Sequence, residues 1–118
     1  IAKLYVAVLP KEHLDNFDDL RSHLGLPLLL FVGALCPAIC EEIAFRGLVH
    51  LRLSALFGRN QGLLIAAAAF ALAHGPTLGL PFHFGLGVAL GVLRNRSGSL
   101  YPGMVLHCAY NALVIAWP

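Results

Sequence analysis

Charge is scarce in this sequence, and negative charge is scarcest. Only 12% of its 118 residues are Asp, Glu, Lys or Arg, about half the share of an ordinary soluble domain. After Asp19 the only carboxylates are Glu41 and Glu42. Formal charge is absent from Leu24 to Cys40, from Asn60 to Leu93 and from Ser97 onward. The eight basic residues are scattered and the net charge is +2, which excludes the concentrated basic patch of a nucleic-acid binder. Cysteine is equally sparse: Cys36, Cys40 and Cys108 are an odd set without CxxC spacing, which excludes a disulfide scaffold. Cys36 and Cys40 share a helical face and read as small packing residues rather than a metal pair. The chain opens at Ile1 rather than Met, and Ile1 to Pro10, too short for a span or a complete signal peptide, reads as the end of a longer segment.

What is present is apolar. Hydrophobic residues make up 58% of the chain and the mean hydropathy is +0.78. That balance predicts an all-α, polytopic membrane helix bundle, because only helices or closed barrels satisfy their own backbone groups in lipid. Four of the six acids fall between Lys11 and Arg21, so residues 1–23, with His13 and His23, read as a polar interfacial segment. Residues 24–118 then form a single helical domain. Its first helix runs from Leu24 to Phe57, with Pro27 in its first turn, a kink at Pro37 and a stop at Gly58. Asn60 to Leu93 divides into two helices around Gly75, Pro76, Gly79 and Pro81. Each is roughly 18 to 20 Å long, short against a hydrocarbon core of about 30 Å, and so partly re-entrant. A fourth helix follows Gly98, with Ser99 as N-cap. Gly87 and Gly91, with Gly85 and Ala89 beside them, give the third helix a small-residue face. Arg59 lies in the first connection and Arg94 with Arg96 in the third, which places both turns on the cytoplasmic side.

A charge on a membrane helix is costly and marks a candidate functional site. Glu42 precedes Arg46 by one turn, the favourable order for an ion pair, and reads as structural. Glu41 points about 100° round the helix and cannot share that pair equally. Counting along straight helices from the arginine-bearing turns puts Glu41, His74, His107 and Asn111 at depths of roughly 25, 20, 16 and 22 Å. A carboxylate, two imidazoles and a carboxamide in one slab can perform hydrolysis or handle ions. For hydrolysis, Glu41 takes a proton from water, His74 orients that water, and His107 with Asn111, at i and i+4, donate to an oxyanion. Phe70 reads as packing, His74 can alternatively cap its helix, and His50 and His83 match no pattern and read as interfacial.

The patterns Glu41-Glu42-x-x-x-Arg46, Phe70-x-x-x-His74 and His107-x-x-x-Asn111, in that order and with Gly-Ser-Leu-Tyr-Pro before His107, resemble those of the CAAX protease and bacteriocin-processing (Abi) family. The resemblance covers roughly Leu28 to Ala112 and implies the catalytic portion of a larger membrane bundle. It implies an intramembrane endopeptidase acting on a lipidated, CaaX-type or membrane-inserted peptide, in a bacterial plasma membrane. By the same resemblance Glu41 and His74 hold the attacking water, His107 and Asn111 form the oxyanion site, and Glu42 pairs with Arg46. Zinc is not favoured, there being no HExxH; were it bound, Glu41, His74 and His107 would be its ligands. The alternatives are non-enzymatic: a bacteriocin-immunity binder, or a bundle that handles protons or cations. Partners implied are membrane lipid and a peptide or prenylated protein, and the oligomeric state is open.

Overall fold

A computed structural model describes residues 22–75 and 78–116; most of the expected interfacial segment, residues 1–21, and Pro76 lie outside them. The described residues form four helices and no strand: α1 (Ser22–Phe57), α2 (Arg59–Ala73), α3 (Leu80–Ser97) and α4 (Tyr101–Ala116). The all-α expectation is met. Helix α1 is long and apolar enough to cross a membrane by length and composition.

Glycine ends three of these helices. Gly58, Gly75 and Gly98 have φ of +86°, +92° and +67°, values that side-chain-bearing residues rarely adopt and that turn the chain out of a helix. Two expectations need correction. Helices α2 and α3 hold 15 and 18 residues, about 22 and 27 Å, longer than expected, because α3 continues through Arg94 and Arg96 to Ser97. Cations suit that last turn, where carbonyls are unpaired. Ser99 lies one residue before Leu100, whose carbonyl accepts the first helical bond from Met104 N–H at 3.0 Å; the Ser99 hydroxyl instead accepts from Tyr101 N–H at 3.3 Å.

Helix α1 is not uniformly α. Its turns widen at Phe31–Leu35 and again at Glu42–Val49, where Cys36 N–H reaches Phe31 O and His50 N–H reaches Phe45 O, five residues back. The first wide turn precedes Pro37, which has no N–H for the carbonyl four residues before it and would clash with that carbonyl. Widening relieves both problems, so the expected kink takes the form of a π turn. Along α1, Ala34, Ala38, Glu42, Arg46 and His50 are all buried, a repeat of four. In a pure α-helix such a repeat would drift by about 40° per step; the wide turns keep it facing one way.

Against that stripe pack α2 and α3, with α4 lying on the N-terminal half of α1 and on α3. Gly87 and Gly91 let α3 approach α2: a Cβ at either would come within 3.0 Å of Ala67 Cα or Leu63 Cγ. Gly85 and Ala89 are exposed instead, with open space beside Gly85, since they lie on the other side of the helix. The two arginine-bearing turns share one end, where Arg59 Nη2 donates to Asn95 O at 2.8 Å.

The polarity of the bundle is inverted. Leu48, Leu56, Leu72, Val105 and Leu113 are each more than 60% exposed, while Glu42, Arg46, His50 and His107 are at most 2% exposed. Apolar groups outward and charges inward suit a lipid surround, where polar groups find partners only inside.

Candidate active site

The interior polar residues come from all four helices. On α1, Arg46 Nη1 donates to Glu42 Oε1 at 2.9 Å, and Arg46 Nη2 donates to Gly87 O on α3 at 3.2 Å. The guanidinium also lies 4.2 Å from the centre of the Phe70 ring, a cation–π contact strengthened by desolvation. Phe70, wholly buried on α2, meets the rings of Phe45, His74 and His107 at 5.2, 4.5 and 5.6 Å. It is the packing centre of the cluster.

Glu42 has a second partner that its spacing with Arg46 does not reveal. His107 Nδ1 donates to Glu42 Oε1 at 3.2 Å, tying α4 to α1. Gly103, one turn before His107, leaves room for this carboxylate, since a Cβ there would come within 2.7 Å of Glu42 Oε2.

Glu41 faces a different group. Its Oε2 lies 3.4 Å from His74 Nε2 and 3.7 Å from His107 Nε2, so three of the four residues singled out by chemistry converge. The Glu41 and His74 side chains are 29% and 27% exposed, whereas His107 is 2% exposed, which makes the cluster open on one side. Yet Glu41 Oε2 itself is shut from solvent and has no hydrogen-bond partner among the described residues. Asn111, one turn beyond His107 and half-buried, makes no hydrogen bond to the cluster among the described residues.

The ring nitrogens can be sorted by their partners. His74 Nδ1 lies 2.8 Å from Phe70 O, and a carbonyl only accepts, so Nδ1 carries the proton and Nε2 of the neutral ring is an acceptor. That bond also satisfies a carbonyl at the end of α2, so His74 caps its helix and faces the cluster at once. His107 Nδ1 is likewise committed as a donor, and its Nε2 can donate as well only when both nitrogens carry protons.

Two histidines read from sequence as interfacial are interior. His83 on α3 is 9% exposed and stacks on His74, with centroids 4.4 Å apart and planes 24° from parallel. His50 is 1% exposed and its Nε2 donates to Asn95 Oδ1 at 3.0 Å. Their side-chain contacts, Asn95 for His50 and His74 for His83, lie on other segments of the chain, where sequence spacing does not point; for His50 the four-residue repeat along α1 was an available signal.

The sequence profile of the family described as "Type II CAAX prenyl endopeptidase Rce1-like" matches residues 23–113, most of the chain. The chain belongs to that family. It is therefore a relative of membrane-embedded CAAX-type endopeptidases, and the matched span holds all the polar residues described above. No curated protein and no solved structure matches the chain significantly.

Proposed function

We propose that this chain is a multi-pass intramembrane endopeptidase of a bacterial plasma membrane, and that it hydrolyses a peptide bond near the end of a lipidated, CaaX-type peptide with water activated by Glu41. The observation that carries this reading is the unpartnered Glu41 Oε2 facing two imidazole Nε2 atoms at 3.4 and 3.7 Å. A water at an ordinary hydrogen-bond length of about 2.8 Å bridges Glu41 Oε2 and His74 Nε2. It gives one O–H to Glu41 and the other to the acceptor Nε2 of His74. As its oxygen attacks the scissile carbonyl, its proton passes to Glu41, which then returns it to the leaving amine as the C–N bond breaks.

Oxyanion stabilisation falls to α4. Glu42 holds the His107 ring through Nδ1–H, an Nε2–H on that ring would point at the oxyanion, and Asn111 offers an amide N–H from the same helical face. Preorganised donors of this kind, in a site screened from water, supply a large part of the barrier reduction in acyl transfer. The alternative is a zinc ion, which Glu41, His74 and His107 would hold and which would activate the same water.

The test is cleavage of a quenched prenylated CaaX peptide by the reconstituted protein, with an unprenylated peptide and a chelator in parallel. The expected result is cleavage of the prenylated peptide that persists with chelator. Loss of turnover on chelation would overturn the metal-free mechanism. Absence of cleavage by folded protein would overturn the CaaX-type substrate.

A further inference from the structure

His83 lies outside the three sequence patterns and takes no part in the chemistry described, yet it touches a residue that does. It occupies the first turn of α3, after Pro81, and is 9% exposed. Its ring and that of His74 are anchored alike. In each, Nδ1 meets a backbone carbonyl four residues back, His74 at Phe70 O (2.8 Å) and His83 at Gly79 O (3.0 Å). The rings then stack across the α2–α3 boundary at 4.4 Å.

His74 needs such a neighbour. The groups around it are Glu41 and Arg46 of α1, Phe70 of its own helix, His107 of α4 and His83 of α3. Its side chain is 27% exposed, it stands just past the end of α2, and Gly75 follows with φ +92°. The Nδ1 bond fixes one atom of the ring but leaves the plane free to rock about it, and rocking swings Nε2 across the Glu41 carboxylate. Phe70 touches the ring at a tilt of 53°, whereas His83 lies within 24° of parallel. The second contact lies nearly flat against the face of the ring.

We infer that His83 is a positioning residue: its stacked ring holds the plane of His74 and so aims Nε2 at the water on Glu41. This rests on the water-orienting reading of His74. A planar ring is what the role requires, so His83→Phe preserves it and His83→Ala removes it.

The experiment measures kcat and KM of the reconstituted full chain on the prenylated CaaX peptide for both variants, with thermal unfolding to confirm the fold. For His83→Ala the expected result is a kcat lowered by about 10- to 100-fold with KM within about twofold, since misplacement on the ångström scale can cost that much. For His83→Phe, kcat stays within about threefold of native, a change of well under 1 kcal/mol in the barrier. Native kcat in a folded His83→Ala protein, a rise in KM at unchanged kcat, or a folded His83→Phe protein as impaired as His83→Ala would each overturn the inference. Should His83→Ala fail to fold, His83→Leu, apolar but not planar, takes its place with the same expected loss of kcat, and native kcat in it overturns the inference. Glu41→Gln separates the two layers: if it turns over normally the site reading fails, whereas if it is inactive and His83→Ala is native, only the role of His83 fails.

Discussion

Glu41 and Glu42 are neighbours in sequence, and the fold gives them different partners. Glu42 is 1% exposed and bound to Arg46 and His107; Glu41 is partly exposed and its Oε2 has no hydrogen-bond partner among the described residues. A buried ion pair contributes little beyond an apolar pair, but breaking one side of it is costly because a charge is left alone. Arg46→Ala is therefore expected to destabilise the protein by about 3–5 kcal/mol, read as a drop in unfolding temperature in detergent. An unchanged unfolding temperature would show that Glu42 finds another partner. The residues at i and i+4, Glu42 with Arg46 and His107 with Asn111, were legible in the sequence because helical geometry alone puts such pairs on one face. The Glu42–His107 bond and the His74–His83 stack were not, because each joins helices whose relative rotation no local spacing encodes.

At the scale of elements, small residues and wide turns bring these side chains together. Gly87 and Gly91 were legible as a packing pair from their spacing, but Gly85 and Ala89 were wrongly joined to them, since composition does not say which face of an apolar helix meets protein and which meets lipid. The structure separates the two faces and predicts opposite signs for one substitution. Gly87→Ala places a Cβ against Ala67 and is expected to destabilise by about 1–3 kcal/mol through overpacking. Gly85→Ala meets open space and is expected to stabilise by up to about 1 kcal/mol through helix propensity. Unfolding temperatures of the two variants check this, and equal effects would contradict the assigned packing of α2 on α3. Helix ends were legible where glycine marks them. The extent of α3 was under-read because Arg94 and Arg96 were taken as its limit, whereas cations are welcome in the last helical turn. The repeat of four along α1 also went unread, being neither the 3.6 of an α-helix nor the 2 of a strand.

At the scale of the whole molecule, an apolar exterior encloses a polar interior. In such a setting each carboxylate must be matched or working, and Glu42 is the matched one. Family membership establishes a CAAX-type endopeptidase relative; which carboxylate does the work is the central claim, and the turnover of the Glu41→Gln protein tests it. That substitution preserves size and leaves the Glu42–Arg46–His107 network untouched. The account predicts a native unfolding temperature with kcat on the prenylated peptide lowered by about 10²- to 10⁴-fold, the usual contribution of a positioned general base. Turnover within about tenfold of native in the folded variant would contradict it.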